Sequence, residues 1–443
     1  MTYIRWFAQL NRTEVSAAGG KGANLGDMAQ AGLPVPPGFV LLTDAYRAFV
    51  AAAGIQPEVE RLAATARADD PDSVEAASAA IRHLFDQGAV PAPIAEAVIH
   101  AYRELGQGRV AVRSSATAED LPGASFAGQQ ETYLNIEGEA RVLQAVQRCW
   151  SSLWTGRAIA YRLRQGIAPG DVALAVVIQR QVEAEAAGIL FTANPVNGRR
   201  DQMVIDGAWG LGEAVVSGQV TPDRWVADGA TGAVLESHPG RKLAMTVRKE
   251  GVTATVPVPE HLQDQPSLTA TQVTALVQMG RRVAEHFGAP QDIEWALAEG
   301  VFYLVQSRPI TSLYPMPMPA TGKGLRIYIS FHVLQGLVEP FTPMGIDLFR
   351  HIARGPGRLL GYPPPPGKPP AAFNWAAGRI FLDITDALKN KHTRKFLRFL
   401  PPLLDQPTGR IIEMLLEREP SIAVESDHFP IRPPIGVVLR MFP

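Results

Sequence analysis

The chain has 443 residues, of which 46% are hydrophobic, and its formal net charge at pH 7 is −1. That length predicts two or three units with a sizeable core, and the nearly neutral charge argues against nucleic acid or an anionic membrane as a partner. A single cysteine, Cys149, excludes an internal disulfide and a cysteine-built zinc site, and the lack of a membrane-length apolar run or a signal-peptide pattern favours a cytoplasmic protein.

The first predicted element is a helix over residues 19–32, which opens with the sequence Gly-Gly-Lys-Gly. Amides at a helix N-terminus attract anions, and the glycines on both sides of Lys21 allow close backbone approach. Lys21 is therefore a candidate anion contact, and the alternative is an exposed lysine at a helix start. A second helix is predicted with Thr43 as its N-cap and Gly54 at its end.

An alanine-rich region over residues 58–105 predicts two or three further helices. It is followed by a short buried strand over residues 110–117, which carries Arg113, and by a loop over residues 123–132. Glycine and small residues would let this loop fold over a ligand and exclude water, although an ordinary surface loop explains the same composition. For Arg113 the alternative to ligand binding is a buried structural ion pair.

Strand patterns dominate residues 172–206, where an apolar run ends at Gln179. Thr271 is then predicted to cap a helix that ends at Gly288. Helices and strands that mix without strict βαβ alternation predict an α+β architecture.

Two short segments near residue 300 predict a β-hairpin with one polar face. Opposite residues of an antiparallel pair share a face, so a register that pairs even-numbered positions brings four polar side chains together, opposite Trp295 and Tyr303. These side chains are Asp292, Glu294, Gln306 and Arg308. Carboxylate and amide oxygens suit Mg²⁺, and a guanidinium suits phosphoryl oxygens. The alternative is a solvated outer face of an edge hairpin.

A proline-rich stretch over residues 314–324 predicts a linker, because each proline removes a hydrogen-bond donor and fixes its own backbone. It separates a first domain over residues 1–313 from a second region over residues 325–443. A basic run in that second region is interpreted as a solvated helix face.

These motifs resemble the nucleotide-binding domain of the dikinase family, which includes pyruvate phosphate dikinase, phosphoenolpyruvate synthase and rifampin phosphotransferase. The resemblance runs from about Trp6 to Ile310, with the same motif order throughout. It implies an ATP-grasp fold of the pyruvate phosphate dikinase type, followed by the start of a second, mainly helical domain.

The resemblance also implies ATP and Mg²⁺ as ligands, with the Gly123–Thr132 loop as a lid. It gives ATP contacts to Lys21, Arg113, Gly128, Thr132, Gln179, Glu294, Gln306 and Arg308. Among these, the cations Lys21, Arg113 and Arg308 would act on the phosphates as catalytic groups, while Glu294 and Gln306 would ligate the metal. Gln179 would read the adenine edge, although the family usually has an apolar residue at the position of Gln181. The glycine-rich segment 207–218 would be a nucleotide-proximal turn.

Members of this family pass the β-phosphate of ATP to a histidine on a separate domain, and from there to pyruvate or to a drug hydroxyl. None of the nine histidines here lies in the Ser-His-Ala pattern of that carrier. The chain is therefore expected to be the front part of a larger enzyme or to need a separate histidine carrier domain.

Residues 325–443 contain no carrier motif, and the segment 328–345 resembles the opening of the acceptor domain of rifampin phosphotransferases. We therefore expect an ATP-dependent phosphotransferase module with a rifampin-like final acceptor. A fragment related to phosphoenolpyruvate synthase is the first alternative, and a non-catalytic, regulatory ATP-binding module is the second.

Overall fold

The computed structural model divides the chain into two units, Met1–Leu313 and Tyr314–Pro443. The residues that the structure describes are 2–117, 131–249, 252–317, 326–331, 340–352, 373–389, 394 and 406–418. Within these ranges, no helix is both long enough and apolar enough to cross a membrane.

The first unit contains two antiparallel sheets. Its strands are β1 (Ile4–Trp6), β2 (Gly38–Leu41), β3 (Val110–Ala116), β4 (Thr132–Ile136), β5 (Leu174–Arg180), β6 (Ala186–Phe191), β7 (Gln202–Trp209), β8 (Asp223–Asp228), β9 (Val234–His238), β10 (Ala244–Lys249), β11 (Val252–Pro257), β12 (Gln291–Ala298) and β13 (Val301–Pro309). The first sheet has the order β1-β2-β5-β3-β4, and the second has the order β13-β12-β6-β7-β8-β9. Strands β10 and β11 form a separate pair.

Ten helices surround these sheets in the described part of the first unit. They are α1 (Val15–Gln30), α2 (Thr43–Ala53), α3 (Gln56–Ala63), α4 (Pro71–Gln87), α5 (Ala92–Glu104), α6 (Glu139–Ser152), α7 (Gly156–Gln165), α8 (Glu213–Val216), α9 (Glu260–Gln263) and α10 (Ala270–Phe287). The mixture of helices with antiparallel sheets confirms the predicted α+β class.

Two predicted helix caps are wrong by one or two residues. Leu42, and not Thr43, is the N-cap of α2, while the Thr43 hydroxyl donates to the Ser16 carbonyl at 3.1 Å. Thr269, and not Thr271, caps α10, because its hydroxyl and the Gln272 side chain form a reciprocal capping box. The predicted helix ends at Gly54 and Gly288 are confirmed, since both glycines adopt the left-handed conformation.

Strand β5 has an apolar core on each of its faces. Val176 and Ile178 belong to a cluster with α2, α4, α5 and α6, whereas Val177 belongs to a second cluster with α1, α10 and the second sheet. A strand that is buried on both faces has a continuous apolar sequence instead of an alternating one. Helix α1 also contacts β3 and β13, so it links the first sheet to the hairpin of the second sheet.

A buried ion pair fixes the loop that follows β9. Lys242 Nζ lies 2.6 Å from Asp223 Oδ1, and neither side chain is more than 1% exposed. The same ammonium donates to the Gly240 carbonyl at 2.7 Å. Asp223 also accepts from the backbone amide and hydroxyl of Ser267, so the carboxylate joins β8 to the segment that precedes α10.

The second unit contains a small sheet as well as helices. Its described elements are β14 (Tyr328–Ser330), α11 (Pro343–Ile352), β15 (Phe373–Ala376), β16 (Arg379–Asp383), α12 (Thr385–Lys389) and α13 (Gln406–Arg418). The strands form an antiparallel sheet in the order β14-β16-β15. The prediction of a mainly helical second domain did not include this sheet.

Candidate functional site

A cavity of about 500 Å³ lies within the first unit, with walls from both sheets. Its size falls within the range of small-molecule sites in proteins. The polar and charged side chains on its wall include Arg113, Thr132, Arg157, Gln179, Glu213 and Glu294. The connection between β5 and β6 also contributes to the cavity wall, because residues 181, 182 and 184 line it.

The predicted hairpin is confirmed as β12 and β13, and its register places the four polar side chains on one face. Asp292 pairs with Arg308, and Glu294 pairs with Gln306. The turn between the strands has positive φ at both central residues, 51° at Glu299 and 75° at Gly300. Such a turn matches the twist of the flanking strands and fixes the register of the pairs next to it, from Ala298–Val301 to Trp295–Leu304.

A β-bulge interrupts the hairpin directly after the polar pairs. The pairing shifts between Glu294 and Trp295, so Trp295 lies opposite Leu304 and Val305 is the additional residue. Tyr303 then pairs with Ala296 and lies on the Glu294 face. The prediction that Tyr303 shares a face with Trp295 is therefore wrong, because a bulge shifts the alternation by one residue.

Arg113 connects the first sheet to this bulge. Its Nη1 donates to the Val305 carbonyl at 2.8 Å and lies 3.9 Å from Glu294 Oε2. The residue is 8% exposed, and its Nε is buried without a hydrogen-bond partner in the described structure. A buried donor that makes no hydrogen bond carries a desolvation penalty. The protein therefore leaves this guanidinium incompletely satisfied, and Arg113 lines the cavity.

Arg308 is held at the other end of the polar face by Asp292. Its Nε and Nη2 each lie 2.9 Å from Asp292 Oδ2. Burial raises the pKa of Asp292 above its ordinary value, against the lowering effect of Arg308, and the charge of Glu294 adds to the increase. The hairpin thus carries a close pair of carboxylates with one cation beside them.

Glu294 and Gln306 supply the oxygen donors that a hard cation needs. Mg²⁺ is usually bound by one or two carboxylates together with substrate phosphates, so a pair of protein ligands is sufficient. In the described ranges, no group of three or more His, Cys, Asp or Glu side chains is arranged around a common metal position. The donor set therefore fits a metal that arrives with a phosphate ligand.

The glycines around Lys21 accommodate a serine of β3. Gly19 has φ of 68°, and a Cβ there would lie 2.2 Å from the Ser115 carbonyl oxygen. The Gly22 amide donates to Ser115 Oγ at 3.1 Å, and that hydroxyl donates to the Ala18 carbonyl at 2.9 Å. In the structure, Ser115 of β3 packs closely against these glycines. The glycines thereby join α1 to the strand that carries Arg113.

Lys21 itself is buried, with 8% exposure. Asn24, which lies three residues further along α1, donates to the Ser307 carbonyl at 3.2 Å and so joins the helix to β13.

The predicted ATP contacts are only partly brought together around the cavity. Its described lining includes Arg113, Thr132, Gln179 and Glu294. Lys21, Gln306 and Arg308 lie outside that described lining, and Gly128, with most of the predicted lid, lies outside the described residues.

The glutamines at the end of β5 have different surroundings. Gln179 is 1% exposed, and its Nε2 lies 3.4 Å from the Pro36 carbonyl, so its amide is held in place at the cavity wall. Gln181 accepts a hydrogen bond from the Asn135 amide at 2.8 Å. That bond ties β4 to the connection between the sheets.

The predicted ATP contacts did not include three charged residues of the cavity wall, Arg180 at the end of β5 and the pair Arg157 and Glu213. Arg157 and Glu213 are exposed and stand in the first turn of short helices, α7 and α8. Glu213 belongs to the glycine-rich segment that was predicted to lie near a nucleotide, so its neighbourhood carried a signal. No pattern in the sequence marked Arg157.

Comparison with known proteins agrees with this site. Residues 15–318 match the family model described as pyruvate phosphate dikinase, AMP/ATP-binding domain. A probable phosphoenolpyruvate synthase of Methanocaldococcus jannaschii is 45% identical over 71% of this chain and 27% of its own length. A rifampicin phosphotransferase of Streptomyces sviceus is 39% identical over 98% of this chain and 48% of its own length. A rifampicin phosphotransferase of Bacillus subtilis is 38% identical over 87% of this chain and 43% of its own length.

The chain thus spans between about a quarter and a half of the length of these relatives. The family match covers the hairpin, every predicted ATP contact and both sheets except for strand β1. The chain therefore belongs to the pyruvate phosphate dikinase AMP/ATP-binding domain family.

Proposed function

We propose that the first unit binds Mg·ATP in the cavity and serves as the nucleotide module of a dikinase-type phosphotransferase. The observation that carries this proposal is the meeting of Arg113, from one sheet, with Glu294, from the other, at 3.9 Å. A guanidinium with an unpartnered Nε beside a carboxylate and an amide suits a phosphate that carries a metal ion. An ATP-grasp fold, with the nucleotide between two sheets, agrees with this arrangement.

The chemistry of such a module is mainly positioning and charge stabilisation. Arg113 would place its guanidinium charge beside a phosphoryl oxygen, while its bond to the Val305 carbonyl fixes the guanidinium plane. Arg308, oriented by Asp292, and the buried Lys21 would add positive charge from the hairpin and from α1. Glu294 and Gln306 would hold Mg²⁺, which neutralises phosphate charge during transfer.

The β-phosphate would then pass to a histidine on a carrier domain. The Ser-His-Ala motif of such a carrier does not occur in these 443 residues. A rifampin-like compound is the acceptor that we favour, because the rifampicin phosphotransferase of Streptomyces sviceus aligns with 98% of this chain. Residues 1–313 would be the nucleotide domain, residues 314–324 a linker, and residues 325–443 part of an acceptor domain.

A synthase that acts on pyruvate is the second candidate. Two relatives named probable phosphoenolpyruvate synthase are 45% and 46% identical, which is higher than the 39% of the Streptomyces protein. Their alignments, however, cover only 71% and 70% of this chain. The coverage of the second unit thus favours the rifampin-like acceptor.

Titration calorimetry with Mg·ATP tests the nucleotide site. Glu294→Gln should weaken binding at least tenfold, about 1.4 kcal/mol, because it removes an anionic metal ligand. Glu299→Gln is the matched control, since Glu299 lies exposed in the turn of the same hairpin. Equal affinities of the wild type and Glu294→Gln at saturating Mg²⁺ would refute the metal assignment.

The transfer step can be tested with ATP that is labelled at the β-phosphate. We expect acid-labile, base-stable label on a separately expressed histidine domain of the Streptomyces relative, and none on the chain alone. Label on the chain itself would mean that one of its own histidines is the carrier. An absence of label on both proteins, despite ATP binding, would favour the regulatory alternative.

A further inference from the structure

We propose that strands β10 and β11 form a strap that holds the two walls of the cavity together, and that Asn135 is the positioning residue at which this strap is attached to the first sheet. Breaking the contact between Asn135 and Thr253 should then speed the release of a bound nucleotide. The inference rests on the proposed function, because it concerns nucleotide exchange at the same cavity. It adds a control element from strands that lie outside the described lining of that cavity.

The strap stands apart from both sheets. Its strands form a pair of their own, from Ala244–Pro257 to Lys249–Val252. An isolated pair of strands is only marginally stable in water, so the order of this pair depends on what it packs against. Through β10 the strap contacts β7 and α8, and through β11 it contacts β4. It therefore reaches from the second sheet to the first.

The attachment to the second sheet is made by the backbone. The Leu211 amide donates to the Thr246 carbonyl at 2.8 Å, and Leu211 itself lines the cavity. Gly210 has φ of 80°, and a Cβ there would lie 2.4 Å from the Thr246 carbonyl oxygen, so the two backbone segments are in direct contact. Strand β10 is thus fixed to the cavity wall that follows β7.

The attachment to the first sheet is made at Asn135 of β4. This residue is 5% exposed, and its Nδ2 donates to Thr253 Oγ1 at 2.7 Å. Its backbone amide donates to Gln181 Oε1 at 2.8 Å, and its φ is 58°, a left-handed conformation that asparagine tolerates. Asn135 therefore joins β11, β4 and the connection between the sheets at one point, directly after Leu134, which lines the cavity.

A second contact between the strap and the β4 end is weaker. Arg248 Nη2 lies 3.2 Å from Glu137 Oε2, at side-chain exposures of 35% and 51%, and an exposed ion pair contributes little. The bond between the buried Asn135 amide and Thr253 therefore carries most of this attachment. It is the part of the strap that gives way first when the walls separate.

The Asn135–Thr253 bond favours the closed arrangement of the walls. Once the walls separate, both groups can bond to water, so the bond adds nothing to the open arrangement. Loss of the Thr253 hydroxyl leaves the Asn135 amide without this acceptor only while the walls are closed, which shifts the balance towards the open arrangement. Opening of an enclosed site commonly limits the release of its ligand, so release should become faster.

Stopped-flow release of N-methylanthraniloyl-ATP from the full chain, with Mg²⁺ and a chase of excess ATP, tests this inference. Thr253→Val keeps the shape of threonine but loses the hydroxyl, and it should release the analogue about fivefold faster, the factor that corresponds to about 1 kcal/mol for one hydrogen bond. Thr253→Ser keeps the hydroxyl and should release it at the wild-type rate. Thr255→Val is the matched control, because Thr255 is exposed on the same strand, and it should also keep the wild-type rate.

Asn135→Gly is the second variant, and it replaces Thr253→Val if that variant does not fold. Glycine adopts positive φ and keeps the backbone bond to Gln181, so only the contact with Thr253 is lost. All rates are measured well below the melting temperature of each variant, where a loss of stability alone does not change them. A wild-type rate in Thr253→Val or Asn135→Gly overturns the strap, and so does an equally fast release from Thr253→Ser. A wild type that binds no nucleotide overturns the proposed function as well.

Discussion

Replacing Lys242 by methionine should lower the free energy of unfolding of the first unit by about 3 kcal/mol. The ammonium lies 2.6 Å from Asp223 Oδ1 and 2.7 Å from the Gly240 carbonyl, at 0% side-chain exposure. Methionine fills a similar volume but leaves a buried carboxylate without its cation. Breaking a buried pair in this way typically costs 3–5 kcal/mol.

The low end of that range follows from the hydrogen bonds that remain. In the Lys242 variant, Asp223 still accepts from the Gly240 amide at 2.9 Å, from the Ser267 amide at 2.7 Å and from the Ser267 hydroxyl at 2.8 Å. Asp223→Ala loses all of these bonds and also leaves the ammonium unpaired. We therefore expect Asp223→Ala to cost more, about 5 kcal/mol.

Urea unfolding followed by tryptophan fluorescence measures both values, because Trp225 and Trp295 are buried in the core of the same sheet. Arg199→Met is the control, since Arg199 pairs with Asp201 at side-chain exposures of 56% and 61% and should change stability by less than about 1 kcal/mol. If Lys242→Met costs no more than this control, the argument from burial is refuted.

Three further predictions concern Arg113, Gly19 and Cys149. Arg113→Met should weaken Mg·ATP binding at least tenfold in calorimetry; unchanged affinity with a lowered melting temperature would instead make Arg113 a structural ion-pair residue. Gly19→Ala should cost at least about 2 kcal/mol in urea unfolding, because φ is 68° and the new Cβ would meet the Ser115 carbonyl; a neutral effect would contradict the described contact. Burial raises the pKa of the Cys149 thiol well above its ordinary 9.0, so the unfolded state loses its proton first and stability should fall as pH rises above about 9. Cys149→Ala should show a shallower fall in the same urea series, and an identical slope would be evidence against a buried thiol.

The hairpin could be predicted from the sequence because its information is local. Alternation identifies both strands, and the two-residue turn at Glu299 and Gly300 fixes the register as far as the pair Trp295–Leu304; the bulge beyond that pair sets the partners of Glu294 and Asp292. The cap of α10 was also available, since Thr269 and Gln272 have the spacing of a capping box. The predicted cap, Thr271, has a threonine at the corresponding position, Thr274, and so lacks a capping-box partner.

Features that depend on distant parts of the chain could not be predicted. Strand β12 pairs with β6, about 100 residues earlier, and periodicity gives no information about such a neighbour. Nothing near Lys21 in the sequence shows that Ser115, about 95 residues later, packs against the neighbouring glycines. Glu213 reaches the cavity only through the packing of Gly212 against β6.

The bulge at Val305 means that the contact between the two sheets depends on the number of residues in β13 and not only on their identity. Phe302 and Leu304 serve packing, Gln306 and Arg308 serve the polar face, and yet all four have the same parity. Val305, the additional residue of the bulge, places the first two side chains and the last two on opposite faces of the strand. Its carbonyl also accepts the hydrogen bond from Arg113. Deleting Val305 would leave every flanking side chain on its present face while removing the anchor of the arginine.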